Sequence, residues 1–267
     1  MLQQEIEEAF DRNKGSLELV NRFLDQLDAG KIRAAEKAGN NWQVNMWVKK
    51  GILLAFRLSK TVEMKYGTTF FDKEVLRVKQ LTLEDGVRVV PGGTTIRRGT
   101  YLEKGVVVMP PTYVNIGAWV GSRTMLDSHV LIGSCAQIGS NVHISAGVQI
   151  GGVLEPVGNL PVIIEENAFI GGNCGLFDGV VAHKGAVIAA GVQLTKSTPL
   201  FDCINEKTIE IKNGVLEIPE NAVVVAGTRK RTGKFAEKYG LASYAALILK
   251  YRDNKTDAVV TLENALR

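Results

Sequence analysis

The chain has 267 residues, of which 45% are hydrophobic and 22% charged, a composition ordinary for a globular protein. Its net charge of +4 is too small to indicate nucleic-acid binding by itself, and its apolar runs fall far short of the roughly 20 residues that a membrane-spanning helix needs. The acidic start MLQQEIEEAF does not match a signal peptide, and Cys135, Cys174 and Cys203 form no CxxC pair, so we expect neither a disulfide framework nor a zinc site, and we expect a reducing cytoplasm.

Residues 1–85 predict a small, mainly helical domain. Ser16 suits a helix N-cap, an apolar stripe follows it at helical spacing, and Gly30 suits the stop. The apolar residues between Val44 and Ala55 predict a second amphipathic helix.

Aliphatic residues then recur at every sixth position. The first series is Val90, Ile96, Leu102, Val108, Val114, Val120, Leu126, Ile132, Ile138, Ile144 and Ile150. The period breaks at GGVLEPVGNLPVI, resumes in a new phase at Ile164, breaks again over 202–217 and returns at Ile218 and Val224. Neither an α-helix nor an alternating strand has a period of six, whereas hexapeptide repeats are typical of a parallel β-helix. We therefore place a β-helix domain at residues 86–228.

Residues 229–267 form a C-terminal tail with mixed α and β character. The sequence predicts a short strand near Ala245 to Leu249 and a final helix from about Asp257. The expected fold class is thus mainly β, with a helical region before the β-helix and a short α/β tail after it.

Hexapeptide repeats indicate a fold but no particular chemistry. Many β-helix proteins of this kind are acyltransferases that use coenzyme A or acyl carrier protein, others are scaffolds, and some are carbonic anhydrases. The carbonic anhydrases need three histidines that converge on zinc. His129, His143 and His183 include no close pair, so we expect no metal site.

Several longer motifs are more specific than the repeat. They are RVVP at 88–91, YVNIGAWV at 113–120, TMLDS at 124–128, GSCAQIGSNVHISAGVQIGGVLEP at 133–156 and KSTPLFD at 196–202, together with RAAEK and WQVNMWVKKGILLAF in the first domain. With these motifs, nearly the whole chain resembles the tetrahydrodipicolinate N-succinyltransferase family of lysine and diaminopimelate biosynthesis.

The resemblance implies a left-handed β-helix, a cytoplasmic homotrimer and active sites between neighbouring subunits. It also implies the reaction, in which the amino group of 2-amino-6-oxopimelate, the opened form of tetrahydrodipicolinate, attacks the thioester of succinyl-CoA. Succinyl-CoA is then a co-substrate, and no tightly bound cofactor is expected.

Two site residues follow from the matched motifs. Arg88 matches a family arginine that holds a substrate carboxylate, a task that suits a guanidinium fork. Asp127 matches the active-site aspartate, which binds and orients the substrate amine and takes its proton. From the repeat alone, Asp127 also fits a permissive polar slot after an inward aliphatic residue.

One motif departs from the family. Where many members carry a glutamate proposed to act in catalysis, this chain has Gly175 in GNCGLFDG. We therefore assign no catalytic glutamate. Asp178 matches a second acidic position of that motif and is either a partial substitute or an ordinary corner carboxylate.

Further candidates carry weaker arguments. Gly151 and Gly152 interrupt the period and would let the backbone approach the pantetheine arm of the cofactor. A basic cluster just after the β-helix would receive the cofactor phosphates or form a solvated face; it consists of Arg229, Lys230, Arg231 and Lys234. His143 would serve as a base in a sugar-acylating enzyme, and Cys174 falls in the inward small column, which favours a core position.

The leading interpretation is an N-succinyltransferase that acts on tetrahydrodipicolinate. An N-acetyltransferase on the same acceptor and a sugar-nucleotide acyltransferase stay open as alternatives. A non-catalytic β-helix scaffold is the alternative from another class.

Overall fold

The computed structural model describes residues 1–39 and 41–252. Three helices and two antiparallel hairpins form the N-terminal region: α1 (Leu2–Asp11), α2 (Leu17–Asp28), β1 (Ala35–Ala38), β2 (Asn41–Val44), α3 (Met46–Leu58), β3 (Thr61–Tyr66) and β4 (Thr68–Lys73). A 3₁₀ turn at Leu83–Asp85 leads into the β-helix.

The predicted helix boundaries have local causes. Ser16 Oγ accepts a hydrogen bond from the backbone N–H of Leu19 at 3.1 Å and so caps α2, as predicted. The second predicted helix is α3. Gly51 lets α2 and α3 cross closely, because a Cβ there would lie 2.6 Å from the ring of Phe23. The helix α1 and both hairpins were not predicted.

Twenty short strands follow in chain order: β5 (Arg88–Val89), β6 (Thr95–Ile96), β7 (Tyr101–Leu102), β8 (Val107–Val108), β9 (Tyr113–Val114), β10 (Trp119–Val120), β11 (Met125–Leu126), β12 (Leu131–Ile132), β13 (Gln137–Ile138), β14 (His143–Ile144), β15 (Gln149–Ile150), β16 (Ile163–Ile164), β17 (Phe169–Ile170), β18 (Gly175–Leu176), β19 (Val181–Ala182), β20 (Val187–Ile188), β21 (Gln193–Leu194), β22 (Leu200–Asp202), β23 (Lys207–Ile209) and β24 (Glu217–Ile218). The strand β25 (Ala222–Lys230), the short helix α4 (Lys234–Lys238) and the strand β26 (Ala242–Tyr251) end the described chain.

Every third strand of the coil belongs to the same parallel sheet, so three sheets enclose one core. Sheet 1 contains β5, β8, β11, β14, β17 and β20, and is extended by β25, β26, β22 and β23; sheet 2 contains β6, β9, β12, β15, β18 and β21; sheet 3 contains β7, β10, β13, β16, β19 and β24. The second residue of each regular strand faces inward and stacks on its equivalents, as Val120, Ile138 and Ile164 do at 0% exposure. Each period of six residues therefore corresponds to one short strand and the corner that follows it.

The prediction of Val90 as the first inward residue is wrong by one position. Val89, and not Val90, pairs with Val108. The first corner contains an additional residue, and the positive φ angles of Gly92 and Gly93 accommodate it. Val89 is 38% exposed because this coil is the open end of the β-helix.

The break in the period after Ile150 is an excursion from one corner. Ile138 in sheet 3 pairs with Ile164, and the longer segment 151–162 between sheets 2 and 3 leaves the coil without disturbing the stacking. The predicted strand near Ala245 to Leu249 is part of β26, which pairs antiparallel with β25. The helix predicted from about Asp257 lies outside the described residues. Within residues 1–39 and 41–252, none of the helices has the length and apolar character that crossing a bilayer requires.

Candidate active site

Arg88 and Asp127 lie on the same sheet of the β-helix. Arg88 is in register with Val107 of β8, and Val107 is in register with Met125 of β11, which Asp127 follows directly after Leu126. Two strand spacings separate β5 from β11, or about 10 Å along the axis. Since side chains alternate along a strand, Arg88, Met125 and Asp127 take outward positions. The two residues are thus spaced for opposite ends of one small molecule.

The backbone around Asp127 is held firmly. Its N–H donates to Ile144 O at 2.9 Å, and its carbonyl accepts from Thr112 Oγ1 at 2.9 Å. Asp127 Oδ1 accepts a hydrogen bond from the N–H of Ser128 at 2.7 Å. The other carboxylate oxygen has no hydrogen bond within the described residues, so it is available as an acceptor for an amine.

Arg88 is an exposed cation without a protein partner. Its side chain forms no ion pair or hydrogen bond with the part of the chain that the structure describes, and an anionic ligand would meet no competing carboxylate there. A cavity of about 370 Å³ lies beside the corner that follows Asp127, and Tyr113, His129 and Gln149 are among its lining residues.

Gly151 and Gly152 lie at a different corner, between sheets 2 and 3. A Cβ at Gly151 would lie 2.8 Å from the Phe177 ring, and one at Gly152 would lie 2.8 Å from the backbone nitrogen of Ser134. Close stacking of neighbouring coils therefore requires both glycines. This is a structural reason that is independent of any cofactor.

The space at Gly175 is already filled. A Cβ on this residue would lie 2.2 Å from Gln193 Oε1 and 2.4 Å from the ring of Phe177. A glutamate at this position would require both neighbours to move. The residues around Gly175 therefore fit a glycine and leave no room for the family's glutamate. Asp178 lies exposed at the adjacent corner.

His143 and Cys174 are both largely inside the protein. His143 is 6% exposed and stacks on Phe169 with ring centroids 5.1 Å apart, within the outward column of sheet 1. Cys174 is part of the β-helix core, as predicted, and its Sγ lies 2.9 Å from Ala189 O. Burial raises the pKa of the Cys174 thiol, which makes it a poor nucleophile.

The basic residues lie far from Asp127 within one chain. Arg229 and Lys230 end β25, and Lys234 begins α4; all three are exposed. Four strand spacings, about 19 Å, separate β25 from β11 in sheet 1. A single chain therefore brings Arg88 and Asp127 together but leaves the basic residues and the segment 151–162 elsewhere.

A cleft of about 690 Å³ is on the other side of the β-helix. The hairpin β1–β2 and residues 158–160 border it, and Asp178 and Lys196 are among its other lining residues. Lys196 is exposed and forms no ion pair within the described residues. This cleft is large enough for an extended ligand, and its walls come from both the N-terminal region and the β-helix.

A buried carboxylate beside this cleft was missed by the sequence analysis. Glu165 accepts hydrogen bonds from Lys37 at 2.7 Å and Trp42 at 2.8 Å, and His183 Nδ1 lies 3.4 Å away. Burial raises the pKa of Glu165, but the hydrogen bonds from His183, Lys37 and Trp42 outweigh burial and hold that pKa well below its usual range. The network joins the hairpin β1–β2 to the β-helix.

His183 makes the stability of this junction dependent on pH. Hydrogen bonds to Glu165 and, at 2.8 Å, to Glu217 raise its pKa above the ordinary 6.5 although burial opposes them. A histidine whose pKa is higher in the folded chain stabilises the fold fully below the unfolded pKa, and this contribution is lost as the pH rises through the folded pKa. We expect the wild-type unfolding free energy to fall above about pH 6.5 more steeply than that of His183→Gln.

Urea unfolding at several pH values from 5.5 to 9 measures this difference. His129→Gln is the matched control, because His129 is exposed at another corner. Parallel pH profiles of the wild type and His183→Gln would contradict the assignment.

Comparisons with known proteins agree with the fold and the motifs. The N-terminal model of tetrahydrodipicolinate N-succinyltransferase matches residues 1–58, and the model of the hexapeptide repeat of succinyl-transferase matches residues 161–196. A solved structure from Campylobacter jejuni, described as a 2,3,4,5-tetrahydropyridine-2-carboxylate N-succinyltransferase, has a TM-score of 0.51 at 15% identity and covers 92% of this chain and 64% of its own. The expected left-handed β-helix with a small helical N-terminal region is confirmed.

Two curated relatives match along the whole chain. A Psychrobacter 2,3,4,5-tetrahydropyridine-2,6-dicarboxylate N-succinyltransferase is 42% identical over 100% of this chain and 98% of its own. The protein of the same name from Paraburkholderia phymatum is 44% identical, again over 100% of this chain and 98% of its own. The chain therefore belongs to the tetrahydrodipicolinate N-succinyltransferase family of hexapeptide-repeat acyltransferases.

Proposed function

We propose that this protein transfers the succinyl group of succinyl-CoA to the amino group of 2-amino-6-oxopimelate in lysine and diaminopimelate biosynthesis. Full-length relatives of that name support the proposal. The observation that carries it is the placement of an unpaired cation, Arg88, and a half-bonded carboxylate, Asp127, on one sheet about 10 Å apart. Arg88 supplies a cation for one carboxylate of an amino dicarboxylate, and Asp127 supplies an acceptor for its amino group.

The chemistry assigns one task to each residue. Arg88 binds a carboxylate of the acceptor. Asp127, through its free oxygen, orients the amino group and takes the proton that nitrogen loses as it attacks the thioester carbonyl. A carbon–nitrogen bond forms, the carbon–sulfur bond breaks, and CoA leaves as a thiolate that takes up a proton.

The acyl-CoA is assigned to the cleft bordered by segment 151–162. Gly151 and Gly152 lie at the start of this segment, and the cleft volume of about 690 Å³ suits an extended arm. Arg229, Lys230 and Lys234 are assigned to the cofactor phosphates, since all are exposed cations. No metal takes part in this scheme.

The assembly that we propose is a homotrimer, as the family resemblance implies. Asp127 and the acyl-CoA cleft lie at different corners of one chain, so a neighbouring subunit that brings its cleft beside Asp127 would complete the site. Light scattering should give three times the chain mass of 29.0 kDa, and activity should fall when dilution dissociates the assembly. A monomer that keeps full activity would contradict sites between subunits. We place the enzyme in the cytoplasm, where its three free cysteines stay reduced.

Arg88→Ala should chiefly weaken acceptor binding. Loss of a charge-assisted hydrogen bond of about 1.5–3 kcal/mol predicts an acceptor KM about 10–150-fold higher, with little change in the KM for acyl-CoA. Steady-state kinetics with each substrate varied in turn separates the two constants. Lys104→Ala, which removes an exposed cation from a neighbouring corner, is the control; an unchanged acceptor KM in Arg88→Ala would remove Arg88 from the site.

The proposed function is tested by CoA release with tetrahydrodipicolinate as acceptor. Succinyl-CoA and acetyl-CoA are compared at equal concentration. Turnover with succinyl-CoA supports the proposal, whereas preference for acetyl-CoA keeps the acceptor and changes the donor. If neither donor gives CoA release with tetrahydrodipicolinate, but the protein acylates an amino-sugar nucleotide, the sugar-nucleotide alternative replaces the proposal.

A further inference from the structure

Lys49 is a fully buried lysine in α3. It is 0% exposed, although lysine is almost never fully buried unless it is paired. Within the described residues its Nζ has no carboxylate within ion-pair distance and one hydrogen bond, to the backbone carbonyl of Asn159 at 2.5 Å. Burial lowers the pKa of Lys49, and the neighbouring Cys135, whose pKa burial raises to about 12, is a neutral thiol that supplies no counter-charge.

This position is unfavourable for the stability of the fold. A buried amine with one partner loses most of its hydration, and an apolar side chain of similar volume would avoid that cost. The adjacent Lys50 shows the usual arrangement, because it lies partly exposed and pairs with Asp11 at 3.1 Å. A polar group at this buried position therefore points to a task other than packing.

The partner of Lys49 identifies that task. Asn159 belongs to the excursion 151–162, and its bond with Lys49 joins α3 to that segment. The start of the excursion is anchored by Val153 in the β-helix core and by Leu154 against the helical cluster. Further along, Asn159 N–H donates to Pro156 O at 3.0 Å. Within the described chain, no other side chain donates a hydrogen bond to residues 154–160.

The opposite side of the same residues lines a cavity. Gly158, Asn159 and Leu160 form one wall of the 690 Å³ cleft. Lys49 does not line this cleft, so it contacts Asn159 on the side that faces away from the cleft. The position of the Asn159 carbonyl, and with it the width of the cleft, depends on a donor in the N-terminal helical region.

We propose that Lys49 is a positioning residue that fixes the excursion 151–162 as the wall of the acyl-CoA cleft. The kinetic part of this inference rests on the proposed function; the structural part does not. Lys49 touches no substrate. Through this hydrogen bond α3 acts on the donor side of the reaction, where the hairpin β1–β2 also borders the cleft, while Arg88 and Asp127 act on the acceptor side.

The test compares Lys49→Met with Lys50→Met in the full-length protein. Hydrogen–deuterium exchange of the peptides that cover 151–162 should rise at least tenfold in Lys49→Met and stay at the wild-type level in Lys50→Met. The KM for succinyl-CoA should rise about tenfold in Lys49→Met, which corresponds to about 1.4 kcal/mol. The acceptor KM should change less than twofold, since Arg88 and Asp127 are on another sheet.

Two results would overturn the proposal. One is unchanged exchange over 151–162 in a folded Lys49→Met; the other is an equal rise in both KM values, which indicates a general structural defect. If Lys49→Met does not fold, Lys49→Gln is measured in the same way, because its side chain is polar but too short to reach Asn159 O as lysine does. If the wild type shows no succinyl transfer, the proposed function fails, but the exchange experiment still decides whether Lys49 holds the segment.

Discussion

Asp127→Asn should lower kcat by about 10²–10⁴-fold, the range that a positioned general base contributes. Asparagine has the same shape, and its Oδ1 can keep the hydrogen bond from Ser128 N–H. It cannot take a proton from the attacking amine. The acceptor KM should change less than kcat, because Arg88 still binds the acceptor carboxylate. Steady-state kinetics at saturating succinyl-CoA measures both constants.

Asp178→Asn is the matched control for this variant. Asp178 lies at a corner with exposure to solvent and at the cleft that we assign to the donor. We expect its kcat to stay within about threefold of the wild type, since an exposed corner carboxylate has no acceptor amine to orient. A large loss in Asp178→Asn with near-normal Asp127→Asn would exchange their roles. Light scattering of both variants excludes loss of assembly as the cause.

The β-helix was predictable because its pattern is local and repeated. Each inward residue is set by its own six-residue unit, and stacking then buries all of them in one column. The prediction failed at Val90 because Val89 is also aliphatic, so the pattern fits either phase at that point. Only the pairing of Val89 with Val108 shows that the first corner is one residue longer.

The contacts between the N-terminal region and the β-helix were not predictable. Trp42 and Glu165 are separated by 123 positions, and Lys49 and Asn159 by 110, so no periodicity connects them. A buried lysine in an amphipathic helix has the same sequence pattern as an exposed one. The geometry of the site was not predictable from the sequence pattern either. The roles of Arg88 and Asp127 came from motif resemblance, and only the strand register shows that the two residues share a sheet.

The inward and outward positions of one strand give the sharpest test of the repeat. Ile150→Ala should lower the unfolding free energy by about 2–5 kcal/mol, the usual cost of a buried Ile→Ala change. Ile150 is 0% exposed and lies between Ile132 and Leu176 in adjacent coils. The backbones of stacked coils are fixed by sheet hydrogen bonds, so they cannot collapse into the cavity, and the cost should fall in the upper half of this range.

Gln149→Ala on the same strand is the control, and we expect it to change the unfolding free energy by less than about 0.5 kcal/mol. Gln149 is exposed, and its side chain makes only a long hydrogen bond to Gly147 O at 3.4 Å. Urea unfolding of both variants at one fixed protein concentration removes the effect of assembly on apparent stability. Equal losses in the two variants would mean that Gln149 is covered by another subunit, which would place sheet 2 in an interface between subunits. A small loss in Ile150→Ala would mean that the coils relax around a missing inward side chain, and the stacked column would then not be the main source of stability.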